Sequence, residues 1–149
     1  VVLERKHQPL ETTIQLAELV SKTIPRRFQK KGFHPATKTF QALRIEVNQE
    51  LDELEQLLQS FSKRMQKGSR LAVISFHSLE DRLVKQTFRN WSHPCLCPTD
   101  LPYCICGLIS RGKVLTKRAC TAGINEIHSN PRSRSARLRV FEFEGQTDD

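Results

Sequence analysis

The residues best suited to chemistry stand together in Ser75-Phe76-His77-Ser78-Leu79-Glu80-Asp81-Arg82. Hydroxyls, an imidazole, two carboxylates and a guanidinium gather just where an apolar run, Leu71-Ala72-Val73-Ile74, stops. A short unbroken apolar run reads as a strand buried on both faces. Leu79, Leu83, Val84 and Phe88 then share one helical face, so the strand gives way to a helix that Ser78 opens. Ser78 is the expected N-cap, and Ser78 with Asp81 has the spacing of a capping box, Asp replacing the usual Glu. Open α/β sheets bind ligands at the carboxyl ends of their strands, and a helix amino terminus offers free N–H groups to an anion. His77 reads either as a structural histidine or as a hydrogen-bond partner for a base or phosphate. Asp81 and Arg82 belong to the same site or pair with neighbours on the helix surface.

Two further clusters are rich in cations. In His34-Pro35-Ala36-Thr37-Lys38-Thr39-Phe40-Gln41-Ala42-Leu43-Arg44, the side chains of Lys38, Gln41 and Arg44 fall on a common helical side. They read as a solvated helix start or as a phosphate or base contact. In Asn130-Pro131-Arg132-Ser133-Arg134-Ser135-Ala136-Arg137, arginines alternate with small hydroxyls, a pattern that suits phosphate. A plain basic loop leading into a strand is the other reading. The cysteines make a fourth constellation. Cys95-Leu96-Cys97 and Cys104-Ile105-Cys106 flank Pro98 and Pro102 in a hairpin-like loop. Four thiolates brought together by a turn could hold a structural zinc tetrahedrally; bystander thiols and disulfides are the alternatives. Cys120 stands alone and reads as packing rather than as a nucleophile.

Some chemistry is excluded. The six glycines, at 32, 68, 107, 112, 123 and 145, form no G-x-G-x-x-G, and there is no P-loop and no H-E-x-x-H. A nucleotide-like cofactor therefore has no visible cradle here. The 149 residues suffice for one domain or part of a larger one, and the chain opens on Val1 rather than Met, so it need not be a whole gene product. No stretch approaches the roughly 18 apolar residues that span a bilayer, and no secretory signal opens the chain. A cytoplasmic protein without a membrane partner is expected.

The formal net charge is +8, which favours an anionic partner such as RNA. The charges are segregated. Residues 26–38 hold Arg26, Arg27, Lys30, Lys31 and Lys38 with no acid. Residues 111–139 hold Arg111, Lys113, Lys117, Arg118, Arg132, Arg134, Arg137 and Arg139 against Glu126 alone. The acids Glu46, Glu50, Asp52, Glu53 and Glu55 gather between these stretches. Such a polarised surface suits phosphate-backbone contacts.

The elements that must position these groups follow from periodicity. Leu10, Ile14, Ala17, Val20 and Ile24 predict a helix over 9–24, with Pro9 in its first turn and Pro25 at its end. Phe40, Leu43, Val47, Leu51, Leu54, Leu58 and Phe61, spaced 3, 4, 4, 3, 4 and 3, predict one continuous helix over 37–61. Pro35 and Thr37 signal its start, and Gly68 lies in the turn beyond its end. A coiled-coil helix is the competing reading of that stripe. Helix, turn, buried strand, tight turn and helix make one unit of a parallel α/β sheet. Residues 91–112 read as loop, 114–117 as a short strand and 136–143 as a longer one, with Leu138 and Val140 on one face and Phe141 and Phe143 on the other. The tail from Gly145 is polar.

Three strings, HPATKTFQALRI (His34 to Ile45), SFHSLEDR (Ser75 to Arg82) and NPRSRSA (Asn130 to Ala136), resemble in content, order and spacing the RsmH family, also called MraW. That family methylates N4 of a cytidine in 16S ribosomal RNA, using S-adenosylmethionine. The resemblance covers nearly the whole chain but only the later half of the family's length. It implies an α/β fold: the C-terminal part of a Rossmann-like class I methyltransferase, with the end of an inserted helical domain. Residues 1–30 would end the insert. Residues 31–145 would form the later part of the methyltransferase domain, including a cysteine-rich loop at 92–107, and 146–149 a tail. The long helix, the fifth strand, its helix and the closing antiparallel strands would lie here.

By the same resemblance the glycine-rich first turn, the acidic residue for the ribose and the motif for the target amine lie in the earlier half, so the isolated chain should be inactive. The exocyclic amine of cytosine would attack the sulfonium methyl after the base leaves its stack. Motif position and charge put His77 and Ser78 at the pocket, and Arg82, Lys38, Arg44, Arg132 and Arg134 on the phosphates of 16S RNA in the small ribosomal subunit. Gly68-Ser69 stands where the family often has Gly-Gly, and the cysteine loop occurs in only part of the family. A non-catalytic RNA-binding module with a zinc-stabilised loop is the competing expectation; an inactive degenerate fragment is another.

Overall fold

The computed structural model describes residues 1–29, 32–98, 101 and 103–145. Lys30 and Lys31 of the basic connector, Pro102 of the cysteine loop and the tail 146–149 lie outside the described residues. The chain divides into two compact units, Val1–Glu50 and Leu51–Asp149.

The first unit is helical, with α1 (Val2–His7), α2 (Thr13–Thr23), a 3-10 turn at Arg26–Phe28 and α3 (Thr37–Asn48). Helix α2 starts later than the apolar spacing predicts, because Thr12 caps it. The Thr12 hydroxyl accepts from the Gln15 N–H at 3.2 Å, and the Gln15 side chain accepts from the Thr12 N–H at 3.1 Å. Pro9 therefore stays outside, in the link from α1. Pro25 ends α2 as expected, and the Gln29 amide donates to the terminal carbonyls of Ser21 and Ile24 at 3.3 and 2.9 Å.

The long stripe does not make one helix. Gln49 adopts the left-handed conformation, φ 51°, and ends α3; α4 (Glu50–Arg64) then begins anew. A non-glycine residue in that conformation costs about 1–2 kcal/mol. The Glu50 carboxylate offsets it by turning back onto α3, where it accepts from Arg44 Nε at 2.8 Å, Arg44 Nη2 at 3.1 Å and Asn48 Nδ2 at 3.3 Å. No glycine or proline marks this break. The stripe's first half is left open, with Val47 80% exposed, whereas Leu54, Leu58 and Phe61 enter the core of the second unit.

That second unit is mixed α/β. It holds most of α4, β1 (Arg70–Ser75), α5 (Ser78–Ser92), β2 (Gly112–Val114), β3 (Cys120–Thr121), α6 (Ile124–Ser129), a 3-10 turn at Pro131–Ser135 and β4 (Arg137–Phe143). Helix α6 falls in a segment to which periodicity assigned no element, and the 3-10 turn occupies the arginine segment before β4. Gly68 makes the predicted turn between α4 and β1 at φ 83°, its N–H donating to Phe143 O at 2.7 Å. Strand order is β1-β4-β2, with β3 also on β4, and every pairing is antiparallel. The parallel pairing expected of the β1–α5 unit is not found among the described residues.

Alternation along β4 divides its faces as predicted. Arg139, Phe141 and Phe143 are buried, while Leu138, Val140 and Glu142 turn to the other, partly exposed face. Leu71, paired with Phe141, joins the inner face, and Val84, Phe88 and Trp91 of α5 cover it. The rings of Phe88, Trp91, Phe141 and Phe143 lie with centroids 5.0–5.5 Å apart in tilted and edge-on pairs. Strand β1 is not buried on both faces: Ala72 and Ile74 are exposed, and its second edge has no strand partner among the described residues. On that outer face Glu142 accepts from Arg70 Nε at 2.7 Å and pairs with Lys113 at 3.1 Å, which pins the three-strand register.

Strand β2 begins earlier than expected. Gly112 pairs with Phe143, and a Cβ there would sit 2.0 Å from the Glu142 carbonyl oxygen, so only glycine fits. Beyond Val114 the ladder passes to a side chain, as the Val140 N–H donates to the Thr116 hydroxyl at 2.9 Å.

Helix and sheet are also joined by charge. Asp81, on the inward face of α5, accepts from Arg139 Nε at 2.7 Å and Nη2 at 3.1 Å, and from Arg137 Nη1 at 3.3 Å. The side chains of Asp81 and Arg139 are each only 9% exposed. The Arg139 hydrogen bonds and the charges of Arg139 and Arg137 hold the Asp81 carboxyl below its usual range despite burial.

Asp81→Ala leaves Arg139 buried without its counter-charge and should cost about 3–5 kcal/mol in urea unfolding. Phe141→Ala should cost about as much, 3–5 kcal/mol, by opening a cavity among the rings. Because folding depresses the Asp81 pKa, its stabilisation is present above the unfolded value of about 4 and is lost as pH falls through the folded value. Melting temperatures of wild type and Asp81→Asn should therefore converge as pH drops from 7 toward 3. A gap that stays constant would remove Asp81 from the acid limb.

Candidate functional site

The carboxyl end of β1 and the start of β4 meet, since Ser75 pairs with Arg137 and its hydroxyl donates to the Arg137 carbonyl at 3.4 Å. This brings SFHSLEDR and NPRSRSA, far apart in the chain, to one end of the sheet. His77 in place of Ser78 is the N-cap: its backbone is extended, φ −134° and ψ 164°, and Ser78 is already helical. His77 Nδ1 accepts from the Glu80 N–H at 3.3 Å, and the Glu80 carboxylate accepts from the N–H groups of Phe76 and His77 at 2.9 and 3.1 Å. The capping box is thus His77–Glu80, one residue earlier than Ser78–Asp81, because Asp81 is turned inward to Arg139. An accepting Nδ1 places the neutral ring's proton on Nε2, which lies 3.4 Å from Glu80 Oε1.

This cap decides what the helix end can do. The Glu80 N–H is held by His77, the N–H groups of Phe76 and His77 are held by the Glu80 carboxylate, and Glu80 and Asp81 put carboxylates in the first turn. The His77 side chain is 8% exposed and works as a brace. Ser78 and Arg82, by contrast, are exposed.

The second motif is similarly built. Asn130 Oδ1 accepts from the Arg132 N–H at 3.2 Å, and the buried Ser133 hydroxyl donates to the Asn130 carbonyl at 2.8 Å. Ser133 is therefore structural, while Arg132 and Arg134 point away and are exposed. No carboxylate of a described residue pairs with Arg82, Arg132 or Arg134. Lys38 and Arg44 belong to the first unit, in α3. Lys38 is exposed, but the Arg44 guanidinium is already held by Glu50.

The sequence offered Asp81 as a capping partner of Ser78, a site residue or a surface ion pair, and gave Arg139 no individual role. A signal existed: Asp81 shares the spacing of Val84, Phe88 and Trp91, and Arg139 that of Phe141 and Phe143. Opposite charges on two inward stripes call for a buried pair.

The cysteine loop converges as its spacing suggested. The sulfurs of Cys95, Cys97, Cys104 and Cys106 all lie within 4.8 Å of one another. Backbone N–H groups of Leu108 and Leu96 pull the Cys106 thiol down to about 6, and sharing hydrogen with Cys106 pushes Cys104 up to about 12. Such a set could hold a metal ion. Cys120, expected in packing, is exposed on the two-residue strand β3. No helix among the described residues is long and apolar enough to cross a membrane.

Comparison with known proteins now bears on this geometry. The chain is 51% identical over 142 residues to ribosomal RNA small subunit methyltransferase H of Trichlorobacter lovleyi, covering 95% of this chain and 45% of that protein. It is 47% identical over 142 residues to the protein of the same name from Lachnospira eligens, with the same coverage. With that of Symbiobacterium thermophilum it shares 50% identity over 140 residues, 94% of this chain and 44% of the relative. The chain thus spans a little under half the length of these relatives. The profile of the MraW methylase family matches residues 1–144. A match over nearly every residue, including the braced turn at His77 and the arginine turn before β4, places the chain in the MraW methylase family.

Proposed function

We propose that this chain is the later half of an S-adenosylmethionine-dependent enzyme that methylates N4 of a cytidine in 16S ribosomal RNA. The observation that carries this reading is one end of the sheet where the braced β1–α5 turn meets the arginine turn, within a chain that matches the MraW family along its length. The relatives' name supplies methylation of small-subunit ribosomal RNA; the donor and the cytidine amine come from the family resemblance.

S-adenosylmethionine, when bound, supplies the methyl group as an electrophile. The described residues do not fit it alone. Among the described residues only Gly123 follows a strand and opens a helix, and α6 is six residues long and carries no G-x-G-x-x-G, while Glu80 places its carboxylate at the α5 amino end. The cofactor cradle is therefore assigned to the part of the protein outside this chain. The exposed Ala72 and Ile74 side chains and the edge of β1 that has no strand partner among the described residues support that placement, because a sheet of Rossmann-like kind would continue there with parallel strands. Residues 1–30 are assigned to the end of an inserted helical domain and 31–145 to the methyltransferase domain.

This chain's share of the work is to bind and orient. His77 holds the turn rigid and Ser78, the next residue, presents its hydroxyl to the target base. Arg82, Arg132 and Arg134 meet phosphates, for which no carboxylate of a described residue competes. In the first unit Lys38 is a separate phosphate contact, and Arg44 becomes one only by exchanging Glu50 for phosphate. The convergent cysteines suit the non-catalytic reading equally well and do not separate it from the enzyme.

In the full-length protein, Arg132→Ala and Arg134→Ala should each weaken small-subunit RNA binding and lower the salt slope of log K by about 1. Ser78→Ala should lower kcat of methyl transfer more than RNA affinity. The 149-residue chain should give no calorimetric heat with S-adenosylmethionine, and the full-length protein should. Unchanged salt slopes in both arginine variants would remove the phosphates from this turn; cofactor silence in the full-length protein would remove the enzyme.

A further inference from the structure

We infer that Cys95, Cys97, Cys104 and Cys106 bind a single zinc ion, which orders the loop between α5 and β2. The distances carry this. A zinc ion at about 2.3 Å from four sulfurs in a tetrahedron sets them about 3.8 Å apart. Cys104 lies 3.5 Å from Cys95, 3.9 Å from Cys97 and 3.3 Å from Cys106, and all four sulfurs fall within 4.8 Å. Three neighbours around one sulfur describe a tetrahedron's corner. A disulfide selects one partner and draws it to about 2.05 Å; here no pair stands apart from the others. An iron–sulfur cluster carries inorganic sulfide between its irons and would hold the thiolates farther apart. The geometry fits a mononuclear ion.

The loop supplies no other reason for the thiols to gather. Among the described residues between Ser92 and Gly112 there is no helix or strand, and Leu96, Tyr103, Ile105 and Ile109 are exposed. An apolar core would bury those side chains, and none does. The thiols are themselves exposed or half-exposed, so packing does not collect them. The loop is tied down at its base, where the Arg111 N–H donates to the Trp91 carbonyl at 2.8 Å and the Ser110 hydroxyl reaches Trp91 O and Gly112 O. Beyond that base, one ion replaces the missing core, as in small metal-ordered domains. The Ile105 N–H donates to Cys97 Sγ at 3.4 Å, the kind of backbone bond that stabilises a metal-bound thiolate.

On binding, each thiol gives its proton to solvent and four S–Zn bonds form; no electron is transferred. Four protein ligands leave no position for water or substrate, so the ion is structural. The site lies apart from the β1–α5 turn, and its existence does not rest on the methyl-transfer reading.

The test is metal content of the full-length protein purified without chelator. About one zinc per chain is expected, lost in Cys97→Ser and Cys104→Ser and kept in Cys120→Ser. Cobalt(II) exchanged into the site should show the visible bands of a tetrahedral thiolate complex. Chelator should open the loop to protease between α5 and β2 while the core remains intact. Less than roughly half an equivalent of zinc in the wild type would overturn the proposal without recourse to any variant. Stoichiometric iron in place of zinc would overturn it too, as would a denatured intact mass lowered by the hydrogens lost to disulfides. Loss of zinc with methyl transfer unchanged in a cysteine variant still supports a structural ion, whereas zinc-loaded protein that transfers no methyl group counts only against the enzyme reading.

Discussion

Asp81 and Arg139 form the clamp on which the second unit turns. Both face a core otherwise made of Leu58, Leu71, Val84, Phe88, Trp91, Phe141 and Phe143. Desolvating two charges offsets most of their attraction, so such a pair adds little net stability over an apolar one. Its value lies in specificity. A bidentate bond fixes the rotation of α5 about its axis and its position along β4, and the four aromatic rings can then meet edge to face. Arg137 adds a third arm to the same carboxylate and carries that order to the first residue of β4, beside the end of β1.

The clamp also explains why the turn at His77 is built as it is. Asp81 faces inward, so it is not available to cap the helix, and Glu80 with His77 caps it instead. The protein's own carboxylate then stands at the helix end. An anionic ligand gains little there, because Glu80 already neutralises the positive end of the helix dipole. The positive charge open to a partner is on side chains: Arg82 on α5, and Arg132 and Arg134 on the turn before β4. Exposed guanidiniums held beside a hydrogen-bonded brace suit a polyanion better than a small phosphate, which would want preorganised backbone N–H groups.

The two halves of the apolar stripe at 40–61 have different fates for a physical reason. A stripe reports which side chains want burial, but a helix continues only while each residue stays right-handed. At Gln49 the Glu50 carboxylate gains three hydrogen bonds by folding back on Arg44 and Asn48, enough to offset the left-handed turn. Leu54, Leu58 and Phe61 then serve a core of their own, while Leu43 and Val47 are left exposed.

Much was legible in the residues alone, where the cause is local. Alternation gave β4 and its two faces, helical spacing gave α5, Gly68 gave its turn, Pro25 ended α2 and paired C-x-C motifs gave four convergent thiols. The family, too, was legible, because three short strings keep their order and spacing. What depended on distant groups was not. The choice of His77 over Ser78 as cap needed Asp81 to be engaged by Arg139, which lies 58 residues away. The antiparallel partner of β1 is a strand whose pairing no local pattern encodes. The helix break at Gln49 rests on a side chain one residue later bonding backward. Local propensities differ by fractions of a kcal/mol, whereas leaving a buried charge without its partner costs several. Periodicity therefore named the elements, while caps, breaks and partners were settled by contacts that exist only once the chain has folded.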